Sequence, residues 1–244
     1  MSESELNKVA MVIVAHEDDA EFACAGTIAT WVREGWDAYY VICADGSSGG
    51  SDLATDVSPA ARQRVVETRK EEQRNAGKVL GLKDVYFLGY PDGQLEPSLE
   101  MRRDIVRLLR THKPSRVICQ SPDRSWTPEY ILQRDHRDHL TAGRATLEAI
   151  YPASQNPWDF PELMQEGLKP HKVSEVYIAA APVQNFAVDI TSVIDIKMQA
   201  LRAHVSQFEN GTTEVEQMIR DFGKETGKKY GYEFAEEFHL AKNR

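Results

Sequence analysis

The sequence predicts an α/β protein with one doubly wound, mostly parallel sheet of the Rossmann-like kind and helices on both faces. Short apolar runs rich in β-branched and aromatic residues alternate with longer helical patterns, and this alternation is typical of parallel sheets. The first apolar run ends in a cluster of titratable side chains, as expected at the carboxyl end of a buried strand, where such folds bind ligands. A length of 244 residues allows one large α/β domain or two small ones. We expect a single domain over 1–244, because strand-like sequence resumes after the one long stretch without periodicity, at about 151–172.

Five apolar runs bounded by turn-forming residues predict the strands. They lie at 9–15, 38–44, 84–88, 116–120 and 175–181. The patterns between them predict helices at 26–34, 59–80, 98–112 and 138–149. The third helix has Ser98 as its predicted N-cap, and Pro114 follows its end as a helix stop.

The alternation changes after about Tyr151. Residues 151–172 contain four prolines and no sustained periodicity. This pattern predicts a loop or lid rather than a linker between domains, because strand-like sequence resumes after it. Residues 192–242 are rich in charge and are predicted to form a helical C-terminal segment.

The composition limits the classes of function. A formal net charge of −9 argues against binding to nucleic acid or to an anionic membrane surface, since both select basic patches. No stretch approaches the roughly 18 apolar residues of a membrane span, and the first residues lack a signal-peptide pattern, so we expect a cytoplasmic protein. The three cysteines have no metal-binding spacing, so a metal would need nitrogen and oxygen ligands.

Polar clusters follow two of the predicted strands. The first, in "IVAHEDDAEF", contains His16, Asp18 and Asp19. The second, in "RDHRDHL", follows the fourth strand and contains His136, Asp138 and His139. Because both loops should emerge at the same edge of the sheet, the two clusters are expected to meet across the crevice. Two histidines and one aspartate would form a nitrogen and oxygen site that suits zinc, although iron, manganese or cobalt would also fit.

Each cluster also has a purely structural explanation. Asp18 and Asp19 could cap the helix that follows them, and a lone His-x-x-His at a helix start is a weak metal signal. Independent capping, however, would not predict that both clusters follow apolar strands at one edge of one sheet. The combination therefore favours a metal site.

The same segments resemble a known family. "AHEDDAEFACAGTIA" is similar to the AHPDD signature of the LmbE-like, or PIG-L, family of zinc-dependent N-deacetylases, and "HRDH" matches its second signature, His-x-Asp-His. Further similar segments follow in family order: "RKEEQRNAGKVLG", "FLGYPDG" and "AHVSQF". The resemblance spans roughly residues 8–208. It implies the LmbE-like deacetylase fold, removal of an acetyl group from a small acetamido-sugar substrate such as an N-acetylglucosamine conjugate, and a homo-oligomer.

The resemblance also implies roles for individual residues. The implied metal ligands are His16, Asp19 and His139. Asp18 matches the general base, and His136 matches the general acid, with Asp138 orienting its ring. Arg69 matches a substrate-binding arginine, and His204 falls where family members bring a C-terminal segment near the substrate.

The chain departs from the family pattern at two places. Glu17 stands where the family usually has proline, and we expect its side chain to point to solvent rather than to contact the metal ligands. The family's oxyanion-stabilising tyrosine is missing before His136, so Arg134, Tyr130 or a group from the C-terminal helix would have to replace it.

Several loop residues are candidates for substrate contacts. Trp126 with Tyr130, and Trp158 with Phe160, could form an aromatic surface for a pyranose ring, although aromatic residues in loops commonly pin the loop instead. The glycine-rich run "ADGSSGG" from Ala44 would permit close approach of a ligand or simply make a turn.

Two rival classes of function can be weighed from the sequence. A dinucleotide-binding protein is disfavoured, because G-x-G-x-x-G is missing after the first strand and the carboxylates there would repel a pyrophosphate. A non-catalytic metal-binding or assembly protein of the same fold stays open as the alternative to a deacetylase.

Overall fold

Residues 7–126, 136–208 and 211–243 are described by the computed structural model, and within them a seven-stranded sheet lies between layers of helices. The strands are β1 (Val9–Val14), β2 (Asp37–Ala44), β3 (Asp84–Tyr90), β4 (Arg116–Gln120), β5 (Glu175–Ala179), β6 (Phe186–Asp189) and β7 (Ala235–Lys242). The α-helices are α1 (Asp19–Ala23), α2 (Ala25–Arg33), α3 (Pro59–Leu80), α4 (Leu99–His112), α5 (Arg137–Glu148), α6 (Pro161–Gln165), α7 (Ile194–Leu201) and α8 (Thr213–Tyr230).

The strand order determines where a site can form. The sheet runs β3-β2-β1-β4-β5-β7-β6. Strands β1 to β5 are parallel, and β7 runs antiparallel to both β5 and β6. The chain moves outward from β1 to β2 and β3 and then returns to the other side of β1 with β4. The loops after β1 and β4 therefore border a crevice at the carboxyl edge, which is where doubly wound sheets bind ligands.

The sheet separates the core into two layers, and the central strand β1 contributes side chains to both. Ala10, Val12 and Val14 pack on one side with α1, α2, α3 and α7, whereas Met11 and Ile13 pack on the other with α4 and α5. Alternate side chains of a strand point to opposite faces of its sheet, so both layers are apolar. Burying each valine or isoleucine in this way contributes about 1.5–3 kcal/mol.

The predicted fold class is confirmed, and the five predicted strands are β1 to β5. Of the predicted helices, the one at 59–80 is α3 and the one at 98–112 is α4. The Ser98 hydroxyl caps α4 by accepting a hydrogen bond from the amide of Met101 at 3.1 Å. At the end of α3, Gly81 adopts a left-handed conformation with φ of 77°, which glycine tolerates without strain.

The helix predicted at 26–34 begins earlier than the sequence pattern indicated. Asp18 adopts a left-handed conformation with φ of 81°, and this turns the chain directly from β1 into α1. The helical path breaks at Cys24, where φ is −152°, and continues as α2. The carboxylate of Asp19 consequently lies in the first turn of a helix, next to the end of the strand.

The prediction of a helical segment over 192–242 is wrong at its C-terminal end. Helices α7 and α8 are present, but residues 235–242 form β7, which pairs with β5 on one side and with the unpredicted β6 on the other. The sequence of β7, "AEEFHLAK", is rich in good helix formers. Glu236 is buried within this strand beside Lys197, so a charged inward position conceals the expected alternation of apolar and polar residues.

The proline-rich segment 151–172 is anchored from the side of α4. It contains α6 and no strand among its residues, all of which are described. Arg110 of α4 is 1% exposed, and its guanidinium donates hydrogen bonds to the backbone carbonyls of Ala153, Ser154, Asn156 and Asp159. One buried side chain therefore fixes the inner border of this segment.

Candidate active site

Three imidazole rings meet at the crevice between β1 and β4. His16 follows β1, while His136 and His139 lie at the start of α5, in the connection that follows β4. The ring centroids of His16 and His136 are 4.9 Å apart, and each lies 5.3 Å from that of His139. One nitrogen from each ring lies within 4.8 Å of the others, an arrangement that could hold a metal ion. The predicted meeting of the two sequence clusters is therefore present.

Asp19 connects the two clusters. Its Oδ1 lies 3.0 Å from His139 Nε2, and its Oδ2 lies 3.6 Å from His16 Nδ1. The backbone amide of His16 also donates a hydrogen bond of 2.8 Å to this carboxylate. Burial alone would raise the pKa of Asp19, but His139 and His16 outweigh it and hold the pKa well below its usual range. Asp19 is thus an ionised carboxylate with one oxygen near each of two imidazole nitrogens.

The opposite edge of the His16 ring faces two further carboxylates. His16 Nε2 lies 3.0 Å from Asp92 Oδ1 and 3.4 Å from Asp138 Oδ2. Burial lowers the pKa of His16, but the contacts with Asp138, Asp19 and Asp92 outweigh this effect and raise the pKa to about 12. Positive charge is therefore strongly favoured at this position. A carboxylate on one ring nitrogen also directs the other nitrogen toward a metal.

Asp138 is held by the backbone rather than by its neighbour in sequence. Its carboxylate accepts hydrogen bonds from the amides of Gly93, at 2.7 Å, and Leu95, at 3.2 Å. The hydrogen bond between Asp138 and His136 runs from the Asp138 amide to His136 Nδ1, at 3.2 Å, as a helix cap. The carboxylate is thus directed at His16, and the predicted orientation of the His136 ring by Asp138 is not the contact that forms.

Asp18 has the environment of a base. Its amide donates a hydrogen bond of 3.1 Å to Gln73 Oε1, and its Oδ2 lies 3.5 Å from Arg69 Nη2. Burial raises the pKa of Asp18 to about 7, while the charge of Arg69 limits the rise. A carboxyl group with such a pKa exchanges protons readily near neutral pH.

Glu17 does not point to solvent, so that expectation is wrong. The residue is 0% exposed, and its Oε2 lies 3.6 Å from Arg69 Nε. Arg69 Nη2 also donates a hydrogen bond of 2.7 Å to the Glu17 carbonyl. The space for the carboxylate comes from Gly46, where an added Cβ would collide with Glu17 Oε2. Burial raises the pKa of Glu17, and Arg69 opposes the rise.

His204 lies behind the crevice rather than in it. It is 0% exposed, and its Nε2 lies 3.2 Å from Glu21 Oε2, which is buried as well. Gln73 donates to Glu21 at 3.1 Å and accepts from Asp18 at 3.1 Å. These contacts connect His204 to Asp18 through two side chains, an arrangement that favours a positioning role over the predicted direct contact with substrate.

Of the described aromatic candidates, Trp126 and Trp158 are exposed, whereas Phe160 is half-buried and packs against the core layer that contains Met11 and Ile13. Trp126 is 75% exposed and ends the described segment before His136. Trp158 is 87% exposed in the proline-rich segment. Tyr130 and Arg134, two candidates for the oxyanion-stabilising group, lie outside the described residues. A sugar-stacking role for Trp126 stays a prediction.

Comparison with known proteins identifies the family. The family model described as PIG-L, GlcNAc-PI de-N-acetylase, matches residues 11–150. The chain is also 30% identical over 230 residues to the diacetylchitobiose deacetylase of Thermococcus kodakarensis, covering 94% of this chain and 81% of that protein. The chain belongs to the PIG-L family.

Other members of the PIG-L family are similar over most of their length. A protein of Bacillus anthracis described as a probable N-acetyl-α-D-glucosaminyl L-malate deacetylase is 29% identical over 221 residues, with 88% of each chain covered. The N,N'-diacetylchitobiose deacetylase of Pyrococcus horikoshii, solved with an inhibitor, superimposes with a TM-score of 0.85 at 28% identity. That match covers 98% of this chain and 85% of the other.

Three residues in this member of the PIG-L family have contacts that the sequence did not suggest. Asp92 contacts His16, and its Oδ2 accepts a hydrogen bond from the amide of Ser48 at 2.9 Å. Gln73 and Glu21 form the link behind Asp18. Asp92 had one usable signal, because it follows β3 within the family-like segment "FLGYPDG", at the same edge of the sheet as the two clusters. Glu21 and Gln73 are ordinary helix residues in sequence and gave none.

Proposed function

We propose that this protein is a metal-dependent N-deacetylase that releases acetate from the acetamido group of an N-acetylglucosamine-type conjugate. The observation that carries the proposal is the convergence of His16, Asp19 and His139 beside Asp18. Membership of the PIG-L family and the deacetylase activities named for its relatives support the same reaction.

The donor set fits a zinc ion. Imidazole nitrogen and carboxylate oxygen are zinc ligands, and catalytic zinc sites use three protein ligands plus one open position. We assign the three protein ligands to His16, Asp19 and His139. Asp92 would hold the remaining nitrogen of the His16 ring, as carboxylates do around metal-binding histidines.

Few groups would carry out the steps of the reaction. When bound, a zinc ion would lower the pKa of a water molecule toward about 7 and polarise the amide carbonyl. Asp18 would accept a proton from that water, which its raised pKa favours. His136 would deliver a proton to the nitrogen as the carbon–nitrogen bond breaks. Burial and the neighbouring histidines lower the pKa of His136, so its protonated form is a stronger acid but a minor species at neutral pH.

The remaining candidates have narrower roles in this proposal. Arg69, beside Asp18, would border the part of the substrate attached to the reacting sugar. His204 would hold the helix that carries Glu21, and Trp126 would contribute a sugar-stacking face. Asp138 would position His16 rather than the His136 ring.

Location and assembly stay predictions. Among the described helices, none combines the length and the apolar character of a membrane span. The acidic composition supports the expected lack of nucleic-acid and membrane partners. The family resemblance supports a homo-oligomer that acts on a small acetamido sugar, and the cytoplasmic location stays an expectation.

The test measures metal content and acetate release together. Protein stripped with a chelator should be inactive, and added zinc should restore acetate release from N-acetylglucosamine disaccharides or conjugates; cobalt, manganese and iron identify the preferred metal. His139→Ala should lose bound metal by elemental analysis. The matched control is His239→Ala, because this histidine lies in β7 and contacts the Val183 carbonyl. Metal-loaded protein that releases acetate from no acetamido sugar would contradict the proposal and favour the non-catalytic alternative.

A further inference from the structure

Arg69 is enclosed on several sides by this chain's own groups. Glu17 Oε2 faces its Nε at 3.6 Å, while Nη2 donates to the Glu17 carbonyl at 2.7 Å and lies 3.5 Å from Asp18 Oδ2. On another side, the backbone at Gly49 approaches so closely that an added Cβ would collide with Nη1.

The glycine-rich loop holds this enclosure in place. Gly46 makes room for the Glu17 carboxylate, with a positive φ of 67° that suits glycine, and Gly49 makes room for the guanidinium. Gln207 donates a hydrogen bond of 3.0 Å to the Gly49 carbonyl, which fixes the loop from the C-terminal side. The backbone at Gly46 and Gly49 therefore packs directly against the side chains of Glu17 and Arg69.

The pair is incompletely hydrogen-bonded. Both Glu17 oxygens and Arg69 Nε are buried and have no hydrogen-bond partner among the described residues. Such a buried carboxylate is costly unless a nearby positive charge compensates it. Arg69 supplies the compensating positive charge. The main effect of the Glu17 carboxylate is therefore on the Arg69 guanidinium.

We propose that Glu17 makes the subsite beside Arg69 selective for an uncharged, hydroxyl-rich group, such as a second sugar, over a group that carries a carboxylate or phosphate. This inference rests on the proposed deacetylase function. An accessible arginine binds carboxylates and phosphates through two parallel hydrogen bonds from one edge of its guanidinium. Here the edge formed by Nε and Nη2 already faces Glu17, and Nη1 abuts the loop.

Net charge acts in the same direction. Glu17 lies against the guanidinium, so an anionic group arriving there meets a cation that already faces a carboxylate. A sugar hydroxyl carries no charge and needs only one donor or acceptor. The geometry therefore disfavours the anion and not the neutral group.

The test compares two substrates in the metal-loaded protein. One is a neutral N-acetylglucosamine disaccharide, and the other is an N-acetylglucosamine conjugate with a carboxylate-bearing aglycone. We expect the wild type to have the higher kcat/KM for the disaccharide. Glu17→Gln, which keeps the side chain's size and removes its charge, should shift the kcat/KM ratio about tenfold toward the carboxylate conjugate, mainly through KM. Glu17→Asp, the control that keeps the charge, should retain the wild-type preference.

The ratio separates selectivity from damage, because general loss of structure lowers both rates together. A wild type that prefers the carboxylate conjugate would overturn the inference, as would a Glu17→Gln ratio that stays within threefold of the wild type. If neither compound is hydrolysed, the deacetylase proposal fails by itself. Binding calorimetry with the same two compounds and the same thresholds then decides the charge preference separately.

Discussion

Two groups of buried charged side chains in the described part of the chain differ in their hydrogen bonds. In one, Lys197 Nζ lies 2.6 Å from Glu236 Oε1 and donates to the Phe22 carbonyl at 2.8 Å. The Glu236 carboxylate also accepts from the amides of Gly26 and Thr27 at the start of α2 and from the Thr27 hydroxyl. Each oxygen of Glu236 thus accepts two hydrogen bonds, which is the arrangement that stabilises a buried ion pair.

The second group, around the candidate active site, is less complete. Both Glu17 oxygens, Arg69 Nε and His204 Nδ1 are buried and lack a hydrogen-bond partner among the described residues. Native proteins rarely keep such atoms unless a ligand, ion or water completes them. We therefore expect the Lys197 and Glu236 pair to serve stability, and the group around His16 to be completed by a bound ion, ligand or water.

The largest expected effect tests the site as a catalyst. Asp18→Asn removes the proposed base and leaves the three assigned metal ligands in place. We expect kcat to fall about a thousandfold, within the range for a general base, with metal content unchanged by elemental analysis. Loss of the metal in this variant would mean that Asp18 is itself a ligand and that its assigned role is wrong.

The next effect tests the completed ion pair. Glu236→Ala leaves Lys197 as a buried charge without its carboxylate, and we expect the free energy of unfolding in urea to fall by about 3–5 kcal/mol. Replacing both residues together, Glu236→Leu with Lys197→Met, should recover much of this loss because no charge is then left unpaired. If the double variant is as unstable as the single one, packing rather than charge determines the effect.

A smaller effect concerns the orientation of a metal ligand. Asp92→Asn weakens the partner of His16 Nε2, and we expect metal affinity to fall by about 10–100-fold, as for other carboxylates behind metal-binding histidines. Competition with a chelator of known affinity measures it. Asp45→Asn is a useful comparison, because Asp45 accepts a hydrogen bond of 3.2 Å from the Asp92 amide. An equal loss of metal affinity in both variants would indicate a general disturbance of the loop.

The smallest expected effect depends on pH and concerns His204. Burial lowers the pKa of His204, but Glu21 and the neighbouring carboxylates outweigh it and raise the pKa above its usual value. A raised folded-state pKa stabilises the fold below the unfolded pKa, about 6.5, and this stabilisation is lost as pH rises through the folded value. The difference in unfolding free energy between wild type and His204→Gln should therefore be larger at pH 6 than at pH 9. A difference independent of pH would indicate that His204 acts by packing alone.

The parts of the molecule that follow from local patterns were predictable. Apolar runs and caps located β1 to β5, α3 and α4, and the rule that parallel strands share a carboxyl edge placed His16 and His139 together. The burial of Glu17 was not predictable, because it depends on space left by Gly46 and on a guanidinium from α3. The strand β7 was missed for a related reason, since Glu236 is buried only because Lys197 arrives from another element.

Arg110 constrains how this protein can be altered. Its guanidinium reaches four carbonyls between Ala153 and Asp159, so the number of residues in that stretch is fixed by the reach of one side chain. An insertion there would move hydrogen-bond acceptors away from the buried guanidinium of Arg110. The outer side of the same segment, at Trp158, is exposed to water. Engineering that grafts a new recognition loop onto this scaffold should change side chains along the outer rim and leave the chain length between the anchored carbonyls as it is.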